Sequence, residues 1–253
     1  MFTKAIVRKP SKSMVNGITN ANLGKPDYKL ALIQHQKYVE ALLECGLDVS
    51  VLDADENFPD STFVEDAAIL TSECAIITNP GAVSRKNEIF DIEKVVSEFY
   101  QNIEKISGNG TVEGGDVMMV GKHFYIGISD RTNLEGAEQL KQILEKYGMT
   151  SSTVGLETML HLKTGLSYLE NNNLAITGEF IDKADFSKFN KIIIDEDEAY
   201  SANCIWINDT VIVPKGYPKS KFLIEKAAYK TIEIDVSEFR KLDGGLSCLS
   251  LRF

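Results

Sequence analysis

The sequence predicts an α/β fold of five repeats, arranged as a propeller or array. A pair of short apolar strands around a tight turn recurs every ~40 to 50 residues along the chain. Helical patterns and single linking strands fill most gaps between the pairs. The last apolar run also has no strand partner nearby except the N-terminal stretch 2–7, and pairing the two closes the ring. A closed ring leaves no sheet edge exposed at the seam.

Taken in order, residues 1–10 read as a first strand, their apolar part being too short for a signal peptide. Residues 11–26 are polar, glycine-bearing and aperiodic, which predicts a surface connector or a lid. Asp27 and Tyr28 lead into a helix to about 44, with Leu30, Ile33, Tyr38, Ala41 and Leu42 near helical spacing and Gly46 as its stop. His35 reads as an ordinary residue of that helix. A linking strand covers 48–52.

The strand pairs follow at 63–70 with 74–78, and at 111–120 with 123–128. A third, 164–169 with 174–177, surrounds three asparagines, and a fourth, 203–208 with 211–213, surrounds Asp209 and Thr210. Helices are expected at 92–103, at 132–147 before Gly148, and at 219–229. Further linking strands fall at 191–194 and 231–234. Residues 245–251 form the fifth first strand, entered through the pair Gly244-Gly245, which permits a tight turn or a close approach to a ligand. No linker rich in proline or serine divides the chain, so one domain over 1–253 is expected.

A formal net charge of −10 argues against nucleic acid and anionic membranes as partners and favours a cationic ligand. No apolar run approaches the roughly 18 residues of a membrane span. Four scattered cysteines, none in a C-x-x-C spacing, argue against a structural zinc site and for reduced thiols in the cytoplasm.

The polar residues gather where the first strand of each pair begins. Asp60, Glu65 and Asp66 open the first, Glu113 and Asp116 the second, His161 the third, Asn203 the fourth and Cys248 the last. In a closed ring these openings share one axial mouth, so residues far apart in sequence converge there. Carboxylates inside runs this apolar need partners, and five of them at matching positions point to a cationic ligand. A thiol becomes a nucleophile beside a base or cation, and His161 is placed to move protons near neutral pH. A carboxylate such as Glu113 then fixes the tautomer and orientation of the imidazole. His123, at a strand start beside Phe124 and Tyr125, reads as structural.

Five ordered motifs carry a resemblance that spans the chain: Phe58-Pro-Asp-Ser-Thr-Phe-Val-Glu-Asp66, Gly110-Thr-Val-Glu-Gly-Gly-Asp116, Leu160-His-Leu-Lys-Thr-Gly165, Ala202-Asn-Cys-Ile-Trp206 and Asp243-Gly-Gly-Leu-Ser-Cys248. The chain resembles the dimethylarginine dimethylaminohydrolase family, of bacterial type, within the guanidino-modifying amidinotransferase/deiminase superfamily. The resemblance implies a five-bladed pseudo-symmetric α/β propeller of ββαβ units. It implies Cys248 as nucleophile, His161 as proton donor and general base, and Glu113 as its orienting carboxylate. It further implies substrate contacts from Asp60, Glu65 and Asp66, from Ile18 and Leu242 through their backbones, and from Arg85 and Arg131 to an α-carboxylate.

The implied reaction is hydrolysis of N-omega-methylated arginines to citrulline and dimethylamine or methylamine through a Cys-thiouronium intermediate. No metal or organic cofactor is implied, although a thiol beside an imidazole would bind inhibitory zinc. The resemblance also implies a homodimer. Two rivals stand beside this reading: a deiminase of plain arginine, which in that family usually carries a helical insertion this length leaves no room for, and a non-catalytic arginine-binding module. An amidino transfer to a second amine would need a further substrate site that the sequence does not display.

Overall fold

A computed structural model describes residues 1–253 as five three-stranded sheets set around one axis. Strand β1 (Lys4–Arg8), helix α1 (Tyr28–Glu44) and β2 (Asp48–Leu52) come first. The next unit runs β3 (Ala68–Leu70), β4 (Ala75–Ile77), α2 (Ile89–Val96), β5 (Ile103–Lys105), and is followed by β6 (Val117–Val120), β7 (His123–Ile128), α3 (Leu134–Lys146), β8 (Thr150–Gly155). Then come β9 (Leu166–Tyr168), β10 (Asn173–Ile176) and β11 (Asn190–Ile193), and after them β12 (Ile205–Ile207), β13 (Thr210–Pro214), α4 (Pro218–Lys226) and β14 (Lys230–Ile234). A short α5 (Ser237–Arg240) precedes the last strand, β15 (Leu251–Arg252).

In four of the sheets the first two strands pair antiparallel through a tight turn, and the third returns parallel to the second after a crossover. This is the ββαβ blade of the predicted α/β propeller, because a parallel return requires a crossover on one face of the sheet. Chain ends meet as expected: β15 pairs antiparallel with β1, Ala5 opposite Arg252 and Ile6 opposite Leu251, while β1 pairs parallel with β2.

The helix α1 begins where the sequence places it. Asp27 caps it, its carboxylate accepting from the N–H groups of Lys29 and Leu30. Its buried face, with Tyr38 and Leu42, joins the largest apolar cluster together with Phe63, Phe239 and Leu246. Tyr38 places its hydroxyl against the carbonyl of Leu246 at 2.9 Å, anchoring the C-terminal segment. His35 belongs to the buried face of this helix. Burial pulls its imidazole down to about 4, so it is a neutral core histidine.

Three expectations need correction. The predicted 92–103 helix is too long: α2 ends at Val96, and Ile103 begins strand β5. The blade between β10 and β11 has no α-helix; one-turn helices at Gly178–Phe180 and Ala184–Phe186 replace it, with Phe180 and Phe186 packed edge to face. Most important, the inner strands start late. Each of β3, β6, β9, β12 and β15 is preceded by a 3-10 segment: Val64–Ala67, Gly114–Asp116, Leu162–Thr164, Glu196–Ala202 and Ser247–Leu249. The polar residues assigned to strand openings lie in these turns or beside them. Five converging strands leave no lateral room for ladder pairing at the mouth, and a tight turn lets each polar side chain find a partner across the axis instead.

Candidate active site

The 3-10 turns pack against their neighbours around the axis, the β3 turn touching both the β15 and β6 turns. A cavity of about 40 Å³ opens at their centre, with Asp60, Asp66, Glu113, His161 and Cys248 in its wall. Ile18, Arg85, Arg131 and Leu242 line it too. A smaller polar cavity of about 30 Å³ lies beside it and shares His161 and Cys248. Nine of the ten residues proposed from sequence therefore meet at one mouth. Glu65 is the exception, lining a separate cavity further along the axis.

Cys248 sits in the last turn, three residues before β15, and the N–H of Gly245 reaches its sulfur at 3.4 Å. Burial pushes the thiol up to about 12, helped by the carboxylates of Glu65 and Asp66, while the Gly245 N–H and Lys163 pull the other way. Its neighbour Gly245 lies so close to Asn203 that a Cβ there would meet the amide at 2.5 Å. The glycine pair thus serves close approach to protein side chains, and neither member has positive φ; the left-handed residue of the turn is Asp243, at φ 58°.

His161 donates or accepts through Nε2 against Oε2 of Glu113 at 2.7 Å. Burial drags the imidazole down, yet Asp66, the Glu113 hydrogen bond and Asp116 outweigh it and hold the ring at about 9. Glu113 is itself fixed: its Oε1 accepts from the Ala82 N–H at 3.2 Å and faces Arg131 at 3.7 Å. Asp116 does not reach substrate space. It accepts from the Leu162 N–H and from Ser129, so it holds the turn that carries His161, and burial raises its carboxyl.

Asp66 takes the Gly115 N–H at 2.9 Å and Arg85 at 2.5 Å. Burial raises it, but the Arg85 guanidinium prevails and holds it at about 2, ionised. Arg85 is deeply committed: Nε and one terminal nitrogen bind Glu88, and that nitrogen also donates to the Phe63 carbonyl. Glu88, three residues after Arg85, escaped sequence reading, although the i,i+3 spacing was a signal; burial lifts its carboxyl to about 7 against the pull of Arg85. Arg131 is freer, with 18 % of its side chain exposed and only the 3.7 Å contact to Glu113.

Asp60 is also buried, which raises its carboxyl, and it accepts from the Ile18 N–H at 3.1 Å. The segment 17–26 is held over the mouth by this bond, by Thr19 donating to the Lys241 carbonyl and by the Asn20 N–H on Asp243 at 2.7 Å. Asn20 and Asp243 were not anticipated; an acidic residue before a glycine pair was the available sign. Asp66, Glu113 and His161 present ligand atoms within 4.8 Å of one another, as a metal site would. Arg85 and the His161–Glu113 hydrogen bond already satisfy these atoms, and a protonated imidazole is no ligand.

Residues 17–198 match the family described as N,N dimethylarginine dimethylhydrolase, eukaryotic. The chain is 56% identical over 254 residues to N(G),N(G)-dimethylarginine dimethylaminohydrolase of Pseudomonas aeruginosa, covering 100% of both. It is 32% identical to the enzyme of the same name from Streptomyces coelicolor, over 98% of this chain and 96% of that one. A structure of the Pseudomonas aeruginosa protein, a cysteine-to-serine mutant complexed with citrulline, superposes with a TM-score of 0.99 over 100% of both chains at 56% identity. The N-terminal domain of ArgZ, an arginine dihydrolase from cyanobacteria, shares the fold at 19% identity, with a TM-score of 0.90 over 100% of this chain and 97% of that one. With the propeller, the axial mouth and these matches together, the chain belongs to the dimethylarginine dimethylaminohydrolase family.

Proposed function

We propose that the protein hydrolyses N-omega-methylated arginines to citrulline and methylamine or dimethylamine, residues 1–253 working as one catalytic unit. The observation that carries this is the convergence of a thiol, a carboxylate-oriented imidazole and an ionised buried carboxylate on one small cavity. That set suits a planar cation whose carbon must be attacked by sulfur.

In the free site the thiol is held neutral by burial and by acidic neighbours. A bound guanidinium brings positive charge beside the sulfur, so the thiolate forms as substrate binds and its proton leaves to solvent. Sulfur attacks the guanidinium carbon, and a neutral tetrahedral adduct forms. His161, protonated near neutral pH, donates to the methylated nitrogen; the C–N bond breaks, the amine departs and a thiouronium cation remains. The now neutral His161 takes a proton from water, whose oxygen bonds the same carbon. Collapse breaks the C–S bond, the thiol leaves with the hydroxyl proton, and citrulline is released. Glu113 keeps the imidazole aimed throughout.

Arg131 is the guanidinium with free donors for the substrate α-carboxylate, and Arg85 supports the site through Asp66 while keeping one terminal N–H unspent. The backbones of Ile18 and Leu242 close the mouth over the amino-acid end. Four free cysteines fit a reducing compartment, in keeping with a cytoplasmic enzyme.

The test is citrulline release from asymmetric dimethylarginine, monomethylarginine and arginine. Methylated substrates should turn over and Cys248→Ser should abolish the reaction. Preference for plain arginine would replace the reading with a small deiminase, and binding without turnover would leave a binding module.

A further inference from the structure

Glu65 and Asp66 are neighbours in sequence but part company in space. Asp66 faces the cavity of Cys248, whereas Glu65 lines an axial cavity of about 160 Å³ on the far side. Lys163 and Ser247 line both that cavity and the small polar one beside Cys248, and so form the partition between them.

Two of the three side chains that Glu65 bonds form this partition. Its Oε2 accepts from the Ser247 hydroxyl at 2.8 Å, and its Oε1 from Lys163 at 2.6 Å and Arg252 at 3.4 Å. Ser247 directly precedes Cys248. Lys163 stands two residues after His161 in the same 3-10 turn. Asn203 braces both from a fourth blade: its Oδ1 accepts from the Ser247 N–H at 2.9 Å, and its Nδ2 donates to the Lys163 carbonyl at 2.9 Å and to the Ser247 hydroxyl at 3.0 Å. The carboxylate, 4% exposed, is the sole anion paired with Lys163 and with Arg252. Both its oxygens are spent on protein partners.

We propose that Glu65 is a positioning residue and not a substrate ligand: its carboxylate, with Asn203, ties the turn bearing Cys248 to the turn bearing His161. The inference deepens the hydrolase reading and rests on it for what the two groups do. A carboxylate accepts from Ser247 and Lys163 at once with full charge. An amide in its place has one acceptor oxygen, leaves the half-buried Lys163 ammonium without its anion, and lets the two turns drift. Displacements near 1 Å between reacting groups cost on the order of 100-fold in rate.

The experiment compares Glu65→Gln, Ser247→Ala and Ser247→Thr in the full chain. It reads citrulline kinetics with asymmetric dimethylarginine, thermal midpoints, and the pH profile of Cys248 alkylation by iodoacetamide, followed on the Cys248 peptide. Expected is a kcat lowered about 10- to 100-fold in Glu65→Gln and Ser247→Ala with KM within about threefold. Ser247→Thr, which keeps the hydroxyl, should stay near wild type. Removing the Glu65 charge should also move Cys248 alkylation to lower pH, so Glu65→Gln pairs a more readily ionised thiol with slower turnover. A tenfold rise in KM at unchanged kcat makes Glu65 a substrate contact and overturns the proposal. Lower thermal midpoints with unchanged kcat reduce the network to fold support and overturn it equally. Absence of citrulline from the wild-type protein sinks the hydrolase reading instead. The alkylation rate of Ser247→Ala, read without substrate, then decides the tether alone: a change of about fivefold or more supports it, and a wild-type rate refutes it.

Discussion

At the scale of single residues, the site is built from opposed protonation preferences. Burial and two carboxylates hold Cys248 as a thiol, while Asp66, Glu113 and Asp116 hold His161 protonated against its own burial. The second of these is a statement about stability. The folded imidazole titrates at about 9, above its ordinary value near 6.5, so the folded state binds that proton more tightly. The stabilisation is complete below about pH 6.5 and is lost as pH rises through about 9. Thermal midpoints of wild type and His161→Gln should therefore lie furthest apart near pH 6 and converge by pH 10. A difference that stays constant across that range would show that the imidazole is neutral in the folded protein.

At the scale of elements, local rules account for α1 and fail for the inner strands. Asp27 is a side-chain N-cap with two bonds to N–H groups, at 2.8 and 3.1 Å. Asp27→Ala should cost about 1 kcal/mol in urea unfolding, with the denaturant slope unchanged. A loss under about 0.3 kcal/mol would mean that the packing of α1 on the core, not its cap, sets its stability. The late start of the inner strands has a different origin. Alternation and branching in Val64-Glu65-Asp66-Ala67 read as strand, but its acidic side chains have partners only across the axis. Tertiary pairing overrode strand propensity there.

At the scale of the whole molecule, closure is carried by a short seam. Ile6 is fully buried and opposite Leu251 in the sheet that joins the two ends, and Cys248 lies three residues from that contact. Ile6→Ala should lower stability by about 2–5 kcal/mol. Closure makes the blades interdependent, so unfolding should remain one transition, followed by both intrinsic fluorescence and loss of citrulline turnover. Separation of the two signals would show that the seam opens apart from the remaining blades.

What the sequence by itself determined was whatever depends on near neighbours. Strand pairs and their turns, the capped first helix, the acidic balance and the residue types at each blade opening are all legible from spacing and composition. Nine of ten proposed site residues do reach one cavity: Asp60, Asp66, Glu113, His161 and Cys248 because equivalent positions of a closed ring face the same mouth, and Ile18, Arg85, Arg131 and Leu242 as the family resemblance implies. What only the tertiary structure decided was the partner of each charge. Arg85, expected to face an α-carboxylate, is buried between Asp66 and Glu88; Glu65, expected beside Asp66 as a substrate contact, points elsewhere. In a 3-10 turn of three residues per revolution, consecutive side chains diverge by roughly 120°. The bonds that separate the two acids then reach across 98 residues to Lys163 and 182 to Ser247. No local pattern encodes contacts of that range; they exist only once the ring has closed.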